Sequence, residues 1–507
     1  MDMRFEHTTI QAETPCGTCR TSFTAEGEVA IPGSLREATH VLHTSATAVV
    51  ESADALQGRI SVRGRVIFCV IYTQGAQTKA ESIEATADFT HLCDAPGTVE
   101  RAEAEARAWV EHAEARVQNG RMMMRANVRL YARADAVQNI EVLTTVDSPY
   151  AQTQQERISM LQTTARGSGE ALVREEFTLP PELAITDTLA AWGSIRTDDV
   201  AGGQGRVSLS GEMTLEALHT SSLPGRPLVM TRHTLPVSEA VEITGNAGEE
   251  LHGRMQVKDV AAASLDMGEG ERTLRVEALL GLKAWSTRLE SLEALSDAYT
   301  VSGEDVRLGR QELLLQTGTR CMHAAESGRA PLLLPAGEKP LRTVLAAFAV
   351  PVLTGFSQQG SRLVTEGMLE TELVYMSDDS MPLSIRMEAP FRTAFAATAD
   401  EDDLLTLTVE NVEAVPVTSD RAELRYVLHA DIEGRDAAHV SLVTEAETIP
   451  SAEVTKDVVL YFVQPGEDAW EVAKRYRITA EQLTALNPGM GETLQPGQGV
   501  VVWHRNA

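Results

Sequence analysis

Few residues of this chain stand at spacings that could do chemistry. Cys16-Gly-Thr-Cys19 has the spacing of a redox pair or of half a zinc site. No second CxxC follows, and no strand–helix context suits a thioredoxin-type centre. His40 and His43 are three apart, so one face of a short helix over 34–43 would offer both to a metal, but no third ligand stands nearby. His91-Leu-Cys93 is equally isolated. Glu401-Asp-Asp403 and Asp378-Asp379 read as solvated acidic turns, with weak calcium affinity as the alternative. No Gly-x-Ser-x-Gly elbow, phosphate loop or His-Glu-x-x-His motif occurs, and Gly202-Gly-Gln-Gly205 lacks the lysine and helix of a phosphate cradle. The residues thus name no catalytic group, no metal site and no cofactor. The expectation is a non-enzyme.

The elements that hold such residues have to be sought in a long acidic chain. It has 507 residues, with 44 Lys and Arg against 73 Asp and Glu, a net charge of −29. At roughly 100–200 residues per domain this suggests about three to five domains. The acidity disfavours nucleic acid and anionic lipid as partners. Met1 to Phe23 has no apolar segment of signal-peptide type, and no window approaches 18 uninterrupted apolar residues, so no membrane insertion is expected and the expected address is the cytoplasm. Five cysteines, an odd number widely spread, are not a disulfide framework, and Cys69 within Val66-Ile-Phe-Cys-Val-Ile71 reads as a core residue.

An internal repeat dominates the first 450 residues. Gly58-Arg-Ile-Ser-Val-Arg-Gly64, Gly205-Arg-Val-Ser-Leu-Ser-Gly211 and Arg362-Leu-Val-Thr-Glu-Gly367 each place an Arg five positions before a Gly, with apolar alternation between. Ile31-Pro32, Leu179-Pro180 and Leu334-Pro335 precede those glycines at matching distances. A period near 150 residues predicts three tandem copies of one fold, beads on a string rather than a short-repeat solenoid. Gly58-Arg59 and Gly120-Arg121 suggest a weaker duplication inside the first copy. Period-2 alternation over 121–131 and 206–218 predicts strands, and Gln118-Asn-Gly120 a hairpin turn. Residues 102–117 are helix-favouring by composition, but alanine recurs at every second position from 102 to 108, and a strand is expected. Polar connectors are expected over 147–170, 302–316 and 448–456. The domain division expected is a tail at 1–19, β-rich units at 20–148, 170–303 and 316–449, and a last module at 457–504.

That last module has a different texture. Val459 to Val463 reads as a strand, Gln464-Pro-Gly-Glu-Asp468 as a turn ending in a helix cap, and Ala469 to Tyr476 as a helix. Thr479 with Gln482 forms a capping box for a second helix, and Val500 to Trp503 a closing strand. This β-α-α-β segment closely resembles a LysM domain, in Val463-Gln-Pro-Gly-Glu467, Trp470, Ile478-Thr479, Leu486-Asn-Pro488 and Pro496-Gly-Gln498. The resemblance implies a groove for N-acetylglucosamine glycans such as peptidoglycan, lined here by Gly466, Glu467, Asp468 and Ala469 and by Asn487, Pro488, Gly489 and Met490.

The repeats, through Ala25 to Pro32, Gly58 to Tyr72 and Phe89 to Gly97, resemble the SPOCS domain. Tandem SPOCS units followed by LysM are similar to the SipL-type spore coat and cortex morphogenesis family. The expected fold class is therefore mainly β, three tandem SPOCS-like domains followed by a small LysM domain. The resemblance implies a scaffold at the forespore surface in the mother-cell cytoplasm, binding the spore coat morphogenetic ATPase, stage IV sporulation protein A. The alternative is a glycan-binding cell-wall module.

Overall fold

The structure is a computed structural model that describes residues 3–33, 39–75, 79–203, 205–245, 248–268, 270–377, 381–450, 458–490 and 493–503. The first unit comprises β1 (Arg4–Ala30), β2 (Thr39–Leu56), β3 (Arg59–Gln74), β4 (Ala80–Asp94), β5 (Glu103–Gln118) and β6 (Arg121–Asp147). The second comprises β7 (Ala151–Leu179), β8 (Ile185–Gly203), β9 (Arg206–Leu223), β10 (Arg226–Glu242), a two-residue β11 (Thr244–Gly245), β12 (Glu250–Gly268) and β13 (Glu271–Thr300). In the third are β14 (Asp305–Leu333), β15 (Thr343–Gln359), β16 (Arg362–Met376), β17 (Pro382–Phe395), β18 (Leu404–Thr418) and β19 (Arg421–Ile449). A terminal module follows with β20 (Val458–Phe462), α1 (Ala469–Tyr476), α2 (Ala480–Leu486) and β21 (Gly499–Trp503). Strand is 80% of the structure and helix 4%, so the fold is mainly β, three similar units and a small βααβ module.

Each unit is two antiparallel sheets facing one another. In the first they run β2-β3-β4 and β1-β6-β5, and the other two units repeat this order, with β11 added beside β7. The sequence dictates which side faces in. Along β6 Met122, Met124, Ala126, Val128 and Leu130 are buried while the arginines between them are exposed, the alternation a half-buried strand requires. Residues 103–118 pair with β6 and are strand, so cross-strand burial overrides the helix-favouring composition. The hairpin between them turns at Asn119 and Gly120, both at positive φ (53° and 71°), the conformation that suits Asn-Gly. The duplication inside the first unit has a structural counterpart, since Arg59 and Arg121 open the middle strands of its two sheets.

The three repeated glycines mark one backbone feature. Gly64, Gly211 and Gly367 lie on the middle strands β3, β9 and β16, each opposite a bulge in the neighbouring edge strand. A Cβ there would meet the carbonyl oxygen of Val49, Arg196 or Val352 at 2.2, 1.8 or 2.2 Å. The bulge presses backbone into the space a side chain would fill, which only glycine permits.

Several expectations are corrected. Residues 4–19 are no tail but the first half of β1, paired with β6. The segments 151–170 and 305–316, expected as connectors, are strand in β7 and β14. Thr39 to His43 are strand rather than helix, while 34–38, Asp378 and Asp379 lie outside the described residues.

Beads on a string is also corrected. The outer halves of the long strands, each of 27 to 30 residues, pack against one another through Ile10, Val142, Met160, Ala294, Leu315 and Leu442. At about 3.3 Å per residue such strands run to roughly 90–100 Å. A second shared core joins the β2-β3-β4 sheet to its two counterparts through Leu42, Ile71, Ala190, Leu218, Leu345 and Val374. These residues recur at the repeat spacing, so the three units meet around a pseudo-threefold axis.

Candidate functional site

The terminal module builds its loops from its own caps. Asp468 caps α1, its carboxylate accepting from the Glu471 amide at 2.9 Å. Thr479 and Gln482 form the expected capping box on α2, with distances of 3.0 and 3.1 Å. Val472, Ala473, Ile478, Leu483, Val500 and Val502 are buried as its core. The two loops expected to form a groove are therefore held by helix ends, and the eight expected residues divide by what they touch.

Gly466, Asp468, Pro488 and Gly489 are exposed. Glu467 is engaged internally. It accepts from the Tyr461 hydroxyl at 2.6 Å and the Gln464 amide at 2.9 Å, with Arg475 at 2.5 Å, and the Tyr461 hydrogen bond leads in holding its carboxyl below the usual range. Asn487 is likewise occupied. Its Nδ2 donates to the Leu483 and Val501 carbonyls at 2.9 and 2.8 Å, and its Oδ1 accepts from the Val501 amide at 2.7 Å. That amide side chain takes the place of a strand neighbour, splinting α2 to β21. Ala469 and Met490 are half-buried against the module's core.

This core includes a residue of the second unit. Tyr299, near the end of β13, is 2% exposed; its ring meets Trp470 edge-on at 4.9 Å and its hydroxyl donates to the Ile478 carbonyl at 2.8 Å. Asp297 accepts from the Trp470 indole at 2.8 Å and from Lys474 at 2.6 Å. Burial acts to raise the Asp297 carboxyl, but these two donors outweigh it and hold the carboxyl low. Arg477 pairs with Asp305. The module is thus docked through the α1 face that begins beside its first loop.

The outer face of β20 presents Val458, Leu460 and Phe462, which are 69%, 57% and 55% exposed. Alternate residues of one strand make this a continuous apolar stripe.

The other expected residues serve packing. His40 and His43 lie on a strand with a bulge between Val41 and His43, and stand opposite Thr73 and Ile71 of β3. His43 is buried and shared between units, with Nδ1 2.6 Å from Glu372 Oε2 and its ring stacked on Phe348 at 3.5 Å. It borders a cavity of about 550 Å³ between the three units, where Trp192 donates to Ser45 Oγ at 2.9 Å. Cys16 donates to the Ala134 carbonyl at 3.3 Å within the first unit. Cys19 instead neighbours Cys93, whose thiol is pushed up to about 12, by burial first and then by Cys19. The described residues contain no cluster of three or more His, Cys, Asp or Glu able to hold a metal, and no helix among them is long and apolar enough to cross a membrane.

Sequence reasoning missed the docking pair Asp297 and Tyr299, which stand in a strand with no motif around them. It missed the Cys19–Cys93 proximity for the same reason: the two cysteines lie 74 positions apart and meet only because the sheets face each other.

Comparison with known families matches two stretches of the chain. Residues 37–118, from just before β2 to the end of β5, match the family model described as SipL, SPOCS domain. Residues 461–503 match the LysM domain. These two stretches are therefore similar to a SPOCS domain and a LysM domain, both of them non-catalytic binding modules. Searches of curated proteins and of solved structures return no match.

Proposed function

We propose that this protein is a non-enzymatic scaffold of bacterial spore-envelope assembly, in which the packed SPOCS-like units form a rigid base and the LysM module contacts a protein partner. The observation that carries this reading is the exposed Val458–Leu460–Phe462 stripe on a module fixed to its base by Asp297, Tyr299 and Arg477. An apolar stripe of this kind suits a protein interface, and the open edge of a two-stranded sheet adds main-chain pairing capacity. The SPOCS match supports the sporulation setting. The spore coat morphogenetic ATPase implied by the family resemblance is the first partner to test.

A second reading, binding of peptidoglycan glycan, is favoured by the exposed backbone at Gly466, Asp468, Pro488 and Gly489. Glu467 and Asn487 have their side chains engaged internally, so main-chain groups would carry that recognition.

Two variants separate the readings. Leu460→Glu should abolish pull-down of the purified ATPase and leave binding of soluble muropeptides unchanged. Pro488→Arg should do the reverse. Retained pull-down by Leu460→Glu would defeat the scaffold reading.

A further inference from the structure

The cavity of about 550 Å³ between the three units has one wall made by the outer face of the β15-β16-β17 sheet. The inner face of β16 packs Leu369 and Leu373 into the core of the third unit, so Glu370 and Glu372 point the other way. Two cross-strand rows follow on that outer face. Phe348, Glu372 and Arg386 form the first, and Val350, Glu370 and Glu388 form the second, two residues along. Two residues of strand separate the rows by about 7 Å.

The first row is satisfied. Glu372 takes Arg386 at 2.9 Å and His43 at 2.6 Å. Phe348 is stacked by His43 at 3.5 Å and met by the Trp192 ring at 5.3 Å and 67°. The second row is not satisfied. Glu370 and Glu388 stand directly opposite one another, where like charges destabilise a sheet. His112 lies 2.6 Å from Glu370, but an imidazole is a counter-ion only when protonated. Glu388 is exposed and has no ion pair among the described residues. Even with His112 charged, the row holds two carboxylates against one cation. Glu216, the fourth carboxylate on the cavity, is matched from outside it by Arg232 at 2.5 Å.

The repeat shows that the fold does not require this acidic pair. Three positions after each repeated glycine stand Ile67, Thr214 and Glu370. Their cross-strand partners are Thr86, Thr234 and Glu388, so the first two units are uncharged here. The aromatic groups also depart from the repeat. Ser45, Trp192 and Phe348 each stand nineteen positions before a repeated glycine, and the closure of the three units brings two rings and a hydroxyl to one place.

We propose that this cavity binds a small organic amine, its ammonium between Glu370 and Glu388 and its apolar body against Trp192 and Phe348. The ammonium relieves the like-charge contact, and its N–H groups donate to both carboxylates. The two rings, both half-buried, offer their remaining surface to the apolar body. A ring two carbons from the nitrogen suits the separation of the rows, and the volume lies in the range of small-molecule sites. A hard metal ion fits less well, since it asks for about six oxygen ligands or more. The described residues contain no group of three or more His, Cys, Asp or Glu able to hold one.

The test is a titration of the full-length protein with 2-phenylethylamine at constant ionic strength, read by calorimetry and by saturation-transfer NMR of the probe. Saturable binding is expected. Ethylamine, which lacks the ring, and 2-phenylethanol, which lacks the charge, should each bind at least tenfold more weakly. Glu388→Gln should weaken the amine at least tenfold, and Glu388→Thr, which installs the side chain of the second unit, should match it. Glu447→Gln, at a surface pair with Arg307, should change nothing. Absence of saturation, equal binding of ethylamine or 2-phenylethanol, or a Glu388→Gln titration that superimposes on the native one overturns the proposal.

Discussion

At single residues the fold places polar groups where their loss has a defined sign. His219 is fully buried on β9, between Thr188 Oγ1 at 3.0 Å and Thr231 Oγ1 at 2.8 Å. Burial, with His233 assisting, lowers it to about 4. The unfolded chain binds this proton near pH 6.5 and the folded chain does so only near 4, so stability falls as pH drops between those values. Urea unfolding at pH 7 and 4.5 should show this loss, on the order of 3 kcal/mol at most, and His219→Gln should flatten it. Asn487→Ala leaves the Val501 amide and carbonyl without their partners, and should destabilise the LysM module by about 2–3 kcal/mol without changing the docked face. Cys69 and Cys93, each pushed up to about 12 chiefly by burial, should resist thiol reagents at pH 8 until the protein is unfolded.

Among the elements, those with a local signature were legible in the sequence. The capping box at Thr479 and the Asn119-Gly120 turn depend on neighbours a few positions away. The LysM loops were legible as positions, but the internal engagement of Asn487 and Glu467 was not, because their partners come from elsewhere in the folded module. The repeated glycines could be read as landmarks, whereas the bulges behind them could not, since the intruding carbonyls belong to other strands. A clear contrast follows. Gly211→Ala puts a Cβ against the Arg196 carbonyl and should prevent or severely impair folding, costing several kcal/mol. Gly58→Ala, at φ +71° with open space around it, should cost only about 1 kcal/mol by denaturant titration. The first halves of β7 and β14 were misread as connectors for a related reason. Gln152 to Arg157 pair across to Glu293–Tyr299 while most of their side chains stay exposed, so polar composition conceals a strand.

For the whole molecule, acid should also act on the contacts between parts. Glu372, which joins the third unit to the first, is raised by burial, but its hydrogen bond and charge contacts with His43 and Arg386 outweigh this and leave it low. Asp297 beneath the LysM module is held low too. A depressed carboxyl contributes stability that is fully present above its ordinary value and lost as pH falls through its folded one. Hydrogen exchange at α1 and at the β2 segment around His43 should therefore accelerate below about pH 4, and Asp297→Asn should reproduce the α1 effect at pH 7.

The pseudo-threefold closure limits how the chain could have grown. A solenoid leaves an open end on which another copy can stack, so its length drifts through evolution. Here unit one touches two, two touches three, and three returns to one, as in the path from Arg107 to Glu433 to Arg254 to Glu105. A fourth copy would find no vacant seat at the axis, and a chain of two would leave Leu42 and Ile10 facing water. Geometry counts the copies, and natural variation in this architecture should fall on loops and on the terminal module while the number three stays constant.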